Sequence, residues 1–267
     1  MAIAWKPGLW KACLFLLFCA LLSGSDRVPR LTTSDVEILS KARDANEELY
    51  AQLKSFVCHE EIQRYRGVLD GRPARFLDTV TATLSFENGI EHYSEIYQDD
   101  HLRPSMAHLP GAWSEGEFGT LLLQTLRLLS VELPRFRGFA TVDGLEAAIY
   151  RVEVSAENSP WDFQVSGRHY HLSFQTDVWI STATGEILKI ARRSLDIPAE
   201  TRISEVEWGI TLQLVDLNGK QWLLPKTGTY SVLYSDSGRE EWNNMTFSGY
   251  RRYSSEVALR FDADPAK

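Results

Sequence analysis

The sequence predicts a mainly β (α+β) fold: a curved antiparallel sheet, or incomplete β-barrel, of about ten strands with an N-terminal helix and a mid-chain helix on its concave side. Apolar and polar residues alternate in many short segments from Phe56 onward, turn residues separate these segments at hairpin spacing, and helical periodicity occurs in only two places. Because helical segments do not alternate with the strands, a parallel α/β fold is disfavoured.

The two helices are predicted over 33–54 and 117–129. Ser34 and Glu37 have the spacing of a capping box ahead of apolar residues at helical intervals. The second segment, FGTLLLQTLRLL, is mostly apolar and is followed by Pro134, which cannot continue a helix. We therefore expect one amphipathic helix before the sheet and a second in the middle of the chain.

The clearest strand is TVTATLSF, which ends at a Glu-Asn-Gly hairpin turn over 87–89. A long alternating segment begins at Val206 and closes at an Asn-Gly turn over 217–220. Both patterns predict antiparallel hairpins. The remaining strands are predicted at 90–97, 147–154, 161–165, 170–174, 178–181, 187–193, 221–224, 229–235, 241–253 and 256–261.

The first 25 residues have the order of a secretory signal peptide. Lys6 and Lys11 precede an apolar run over 12–22, and small residues follow it. The run is about half the length that a membrane-spanning helix needs. We expect cleavage near Ser25, which would leave a single domain over 26–267 in the periplasm or otherwise exported. A lipid-anchored form and an uncleaved anchor are the alternatives.

Composition argues against nucleic acid as a partner. The formal net charge is −8, and removal of the predicted signal peptide, which carries two Lys and no acidic residue, moves it to −10. Phosphate backbones are bound by clustered cations.

Of three cysteines, only Cys58 would remain after cleavage, so no disulfide is expected within the mature chain. Cys58 lies in an apparent strand, FVCHEEIQRY, and is interpreted as structural rather than catalytic.

No motif predicts catalysis, a metal or a cofactor. His169 and His171 share one face of a strand at a spacing that metal sites use, but no third ligand is identifiable. A polar outer strand face is the favoured interpretation. His59 with Glu60 resembles part of a zinc-protease motif without the second histidine that such a site requires.

Several segments together resemble uncharacterised exported proteins common in Acidobacteria. They are GAWSEGEFGTLL (111–122), VWISTATGEILKI (178–190), DIP (196–198) and WLLP (222–225) followed by YRRYSSEVALRF. The general layout resembles the periplasmic lipoprotein-carrier (LolA/LolB-like) superfold, although the turn in VWISTATGEILKI lacks the Asp that carriers tend to have. The resemblance implies a half-barrel with a concave apolar cavity for acyl chains or a hydrophobic peptide segment.

The predicted ligand-binding residues are apolar side chains that alternation places on one sheet face, together with a loop tryptophan. Trp113 is singled out because it lies in a Pro- and Gly-rich loop over 99–116, where a lid over a cavity is expected. A closed core would show the same periodicity. The residues of this predicted wall are Val80, Ala82, Leu84, Phe86, Trp113, Trp208, Ile210 and Leu212.

The favoured function is that of an exported, non-enzymatic protein that binds or carries a hydrophobic ligand in a half-barrel cavity. A lipid or a lipidated protein is the expected partner, peripheral contact with a membrane is compatible with it, and the oligomeric state is left open. The alternative is an envelope module for protein–protein interaction or sensing, with a closed core. An enzyme built around His169 and His171 ranks last.

Overall fold

The computed structural model describes residues 32–53, 56–68, 74–87 and 90–252. The predicted signal peptide, its cleavage site near Ser25 and the predicted strand at 256–261 lie outside these ranges. None of the helices in the described ranges is long and apolar enough to cross a membrane.

Two α-helices and a series of β-strands form the described part of the chain. The helices are α1 (Thr33–Leu53) and α2 (Thr120–Val131). The strands are β1 (Phe56–Val68), β2 (Arg75–Glu87), β3 (Ile90–Gln98), β4 (His101–Leu102), β5 (Arg135–Val142), β6 (Leu145–Val154), β7 (Asp162–Val165), β8 (Arg168–His171), β9 (Phe174–Ser181), β10 (Ile187–Ser194), β11 (Ile203–Leu217), β12 (Lys220–Tyr234) and β13 (Arg239–Arg252).

Eleven strands make one antiparallel sheet in the order β4-β3-β2-β1-β13-β12-β11-β10-β9-β6-β5, and β7 with β8 forms a separate hairpin. The large sheet does not close, because β4 and β5 are its two ends in the described structure. The prediction of a mainly β protein with a curved, incomplete barrel and two helices is therefore confirmed. Most consecutive strands are neighbours, as hairpin spacing predicts.

One face of the sheet carries the core and both helices; we call it the inner face. The strand register places Trp208 opposite Tyr230 on one side and Arg192 on the other, so the three side chains form a row across the inner face. Helix α1 contacts this face through Asp35, which accepts a hydrogen bond of 2.9 Å from Tyr150. Helix α2 contacts it through Gln124 and Arg192.

The predicted capping box at Ser34 and Glu37 is wrong by two residues. Thr32 and Asp35 form it instead: the Thr32 backbone N–H donates to Asp35 Oδ2 at 2.7 Å, and the Asp35 N–H donates to Thr32 Oγ1 at 3.2 Å. Both pairs have the required spacing. The hydrogen bond from Tyr150 to Asp35 favours the cap formed by Thr32 and Asp35 over the one predicted at Ser34 and Glu37.

Other boundaries also differ from the sequence prediction, most clearly those of α2, β5 and β12. Helix α2 begins at Thr120 instead of 117. Strand β5 was not predicted, because it is an edge strand with no fully buried residue and its alternation is weak. Strands predicted separately at 221–224 and 229–235 are one strand, β12, in which Pro225 is accommodated where the pairing with β11 shifts register.

Asn46 ties helix α1 to the turn between β9 and β10. Its Nδ2 donates to Gly185 O at 3.0 Å, and its Oδ1 accepts from Ile187 N at 3.0 Å. The helix lies so close to this turn that a Cβ at Gly185 would be 2.7 Å from the backbone carbon of Lys41. A side chain with no exposed surface thus satisfies two buried backbone groups of a distant hairpin.

Asn46→Leu is expected to lower the free energy of unfolding by about 2–4 kcal/mol, because both backbone groups would lose their partner in the interior. Chemical denaturation followed by circular dichroism would measure the change. Glu47→Leu, one residue along on the exposed side of the same helix, serves as the control and should change stability by less than about 0.5 kcal/mol. Equal losses in the two variants would contradict the role of Asn46.

Candidate functional site

Glu91 of β3 holds the N-terminal end of helix α2 on the sheet. Gly119, the N-cap residue, offers no side chain to the free N–H groups of the first turn. Glu91 Oε1 accepts from Gly119 N at 2.8 Å and from Thr120 N at 2.9 Å, while its Oε2 accepts from Gly116 N at 3.1 Å. This contact places α2 and the preceding loop over the inner face.

Glu117, in the loop before α2, carries a buried carboxyl group that contacts Trp208 of β11. Its Oε1 accepts a hydrogen bond of 2.6 Å from Trp208 Nε1 and a second one from Ser114 Oγ. Burial, with the carboxyl group of Glu91 as the next cause, raises the pKa of Glu117 to about 7. Glu117 thereby fixes the orientation of the Trp208 ring.

Glu60 of β1 is a second buried carboxyl group on the inner face. It is 1% exposed, and neither carboxyl oxygen has a hydrogen-bond partner among the described residues. Burial, followed by the carboxyl groups of Glu117 and Glu91, raises the pKa of Glu60 well above its ordinary value. The direction of this pKa shift favours the protonated form of Glu60, which avoids the cost of an isolated buried charge.

An open cavity of about 470 Å³ lies beside Glu117 and Trp208. It is bounded by loop 111–115, the first turns of α2, the β7–β8 hairpin, and strands β11 and β12. Its volume falls within the range of about 300–1,000 Å³ that is typical of small-molecule sites. The apolar part of the lining includes Trp113, Trp161, Phe163, Ile203, Trp208, Tyr230 and Val232. The polar part includes Ser114, Glu115, Gln124, Asp162 and Gln164.

Aromatic rings form a packed cluster next to this cavity. The rings of Trp161 and Trp208 stack with centroids 6.2 Å apart, and Trp161 meets Phe174 edge-on at 5.8 Å. The guanidinium carbon of Arg192 lies 4.2 Å from the Phe174 ring centroid and 5.6 Å from that of Trp208. The cavity is thus backed by a rigid aromatic layer with a cation at its centre.

Two of the eight predicted wall residues, Trp113 and Trp208, line the cavity. Trp113 is half-buried on the loop, whereas Trp208 is 5% exposed. The other six are packed in the main core with at most 3% exposure: Val80, Ala82, Leu84, Phe86, Ile210 and Leu212. Phe118 packs near Phe86, at the end of β2, and their ring centroids are 6.5 Å apart. A ligand-binding role for these six stays a prediction.

The other sequence candidates have ordinary structural surroundings. His169 and His171 are exposed, and His169 Nδ1 lies 2.9 Å from Asp162 Oδ2. No group of three or more His, Cys, Asp or Glu residues within the described ranges could hold a metal ion. Cys58 is 2% exposed, and burial raises the pKa of its thiol far above the ordinary value, so the sulfur is not a nucleophile at neutral pH.

Sequence reasoning missed Glu60, Glu117 and Arg192. Each occupies an inward position of an apolar pattern or of a loop, where a charged residue is unexpected. Arg192 follows Ile190 by two residues in the strand ILKIARRS, so alternation places both side chains on the same face. This was the signal in the sequence for a buried Arg192. No pattern in the sequence, however, indicated which partner each charge would have.

No family model and no curated protein matches the sequence. Among solved structures, a DUF1329 family protein from Desulfovibrio piger is 13% identical with a TM-score of 0.40, over 83% of this chain and 94% of that chain. A domain named for outer membrane lipoprotein sorting, from Vibrio parahaemolyticus, is 10% identical with a TM-score of 0.37, over 81% and 94%. The lipoprotein LppX of Mycobacterium tuberculosis is 13% identical with a TM-score of 0.28, over 82% and 98%.

At these identities and TM-scores, no conclusion about the fold or the ligand of this chain follows from the three structures. The mainly β, open-sheet class rests on the strand order of this chain itself. Membership of the lipoprotein-carrier superfold and a relation to acidobacterial proteins stay predictions.

The raised pKa of Glu117 predicts a specific pH dependence of stability. Between its ordinary pKa of 4.5 and about 7, the folded state binds a proton that the unfolded state has released, so the free energy of unfolding falls as pH rises through this window. Glu117→Gln should remove up to about 3 kcal/mol of this fall. Denaturant titrations at pH 5 and pH 8 would measure it. Glu157→Gln, at an exposed site, should keep the wild-type difference, and an unchanged difference in Glu117→Gln would refute the assignment.

Proposed function

We propose that the protein is an exported, non-enzymatic carrier or binding protein that holds a hydrophobic acyl-chain ligand, free or attached to a lipidated protein. The observation that carries this proposal is the cavity between loop 111–115, helix α2 and the inner face, whose lining combines aromatic with polar side chains. Aromatic and aliphatic walls with a few convergent polar groups are what small amphiphilic ligands require.

Export is part of the proposal and rests on the N-terminal sequence pattern. Cleavage near Ser25 would leave the chain in the periplasm or an equivalent compartment, where hydrophobic ligands need shelter from water. The buried thiol of Cys58 is compatible with such an oxidising compartment, because it offers no exposed sulfur for an unwanted disulfide.

Trp113 is assigned the role of the cavity wall that loop 111–115 supplies. It is half-buried and faces the same cavity as the rings of Trp161 and Trp208. Because those two rings are only 5% exposed, Trp113 offers the larger aromatic contact to a ligand.

Titration of the protein with a fluorescent acyl-chain probe would test the proposal. We expect saturable binding, and we expect Trp113→Ala to weaken it about tenfold because a large apolar contact is lost. Trp179→Ala is the matched control, since Trp179 is half-buried on the opposite face of β9, below the Lys189 ammonium group, and should leave binding unchanged.

Native mass spectrometry before and after mild delipidation would supply an independent test. A lipid-sized mass that disappears on delipidation supports the carrier function. A clean apo mass both times, together with no probe binding, would contradict it.

The second candidate function is a protein–protein interaction module of the envelope. The observation in its favour is edge strand β5, which pairs only with β6 within the described ranges. Phe139 on this strand is 64% exposed, and Leu133 just before it is 67% exposed. An apolar, unpaired edge is suited to strand addition by a partner.

A further inference from the structure

Arg192 is a buried cation for which the described residues provide no anion. It is 1% exposed, and no carboxylate in the described ranges pairs with it. Its Nε donates to Thr176 Oγ1 at 3.2 Å and its Nη1 to Gln124 Oε1 at 2.6 Å, while Nη2 has no partner. Burial alone lowers the pKa of Arg192 to about 9, so the group is still charged at neutral pH.

Arg64 shows how the same sheet compensates a buried guanidinium elsewhere. Its Nε and Nη2 donate to the two carboxylate oxygens of Asp78, each at 2.6 Å. This two-pronged contact is the strong geometry for arginine with an oxyanion. Arg192 has the same planar fork but meets only neutral oxygens and aromatic rings.

The guanidinium of Arg192 lies one side chain away from the cavity. Three of its neighbours, Gln124, Trp161 and Trp208, are cavity-lining residues. Gln124 is only half-buried, sits on the first turns of α2 and lines the cavity. Rotation of its side chain toward the cavity would free Nη1 beside the unpartnered Nη2.

We infer that Arg192 is the anchor for an anionic head group, and that the ligand of the cavity is an acyl chain ending in a carboxylate or a phosphate. The head group replaces Gln124 Oε1 at Nη1 and supplies the missing acceptor at Nη2, while the chain lies along Trp161, Trp208 and Trp113. An oxyanion in this place neutralises a buried charge, which a neutral head group cannot do. The inference rests on the proposed function, since it names the class of ligand for the same cavity.

Three ligands with one chain length test the inference on the wild-type protein, expressed from its full coding sequence. Calorimetric titration with dodecanoate, dodecyl phosphate and dodecanol compares a carboxylate, a phosphate and a neutral head group. We expect the better anion to bind about 10- to 100-fold more tightly than the alcohol. Tighter binding of dodecanoate would indicate a fatty acid, and tighter binding of dodecyl phosphate a phospholipid-type head group.

The outcomes separate the two proposals. If dodecanol binds as tightly as both anions, the role of Arg192 is overturned while the acyl-chain carrier stands. If none of the three binds, the carrier function fails and this inference fails with it. Both results come from the wild-type protein, so neither depends on whether a variant folds.

Variants then locate the preference on Arg192. Arg192→Met should bring the affinities for anions and alcohol to within about twofold of each other. Arg193→Met, the same substitution at the neighbouring half-exposed position on the other face, should keep the wild-type preference. Gln124→Ala should strengthen binding of the better anion several-fold, because the competing amide is gone. An affinity for that anion that is unchanged or reduced in this variant would count against the inference.

Discussion

The carboxyl group of Glu91 is the contact on which the arrangement of the inner face depends. It replaces the missing N-cap of helix α2 by accepting from Gly116, Gly119 and Thr120, and so joins a helix to a strand that lies 25 or more residues earlier in the chain. Glu91 contacts the N-terminal end of α2, where the helix dipole favours a negative group. Without it, the N–H groups of Gly116, Gly119 and Thr120 at the start of α2 would lose this acceptor.

The buried titratable side chains differ in how their charge is compensated. Glu60 and Glu117 are buried, and their raised pKa values favour the protonated forms, whereas the guanidinium of Arg64 donates to both carboxylate oxygens of Asp78. Arg192 keeps its charge with neutral acceptors and ring faces alone. Since an unpaired buried charge costs stability, the proposed anionic head group would compensate Arg192 by supplying the missing acceptor.

The cavity joins these features into one proposed site. Its walls include the stacked rings of Trp161 and Trp208, its outer side is a loop that carries Trp113, and a guanidinium lies behind Gln124. In the proposed function, the aromatic side chains would hold a chain and the cation would select its head group.

The sequence by itself determined the mainly β class, both helices, the major hairpins and the inward positions of Val80, Ala82, Leu84 and Phe86, because these depend on local periodicity and turn chemistry. It missed edge strand β5, whose residues are at most half-buried, and placed the start of α2 three residues early, because the cap comes from Glu91 on another strand. It identified Trp113 and Trp208 but neither the cavity they share nor the isolation of Arg192. Only the tertiary structure decides such features, since they depend on which side chains distant segments bring together, and strand pairing sets these contacts across long sequence separations.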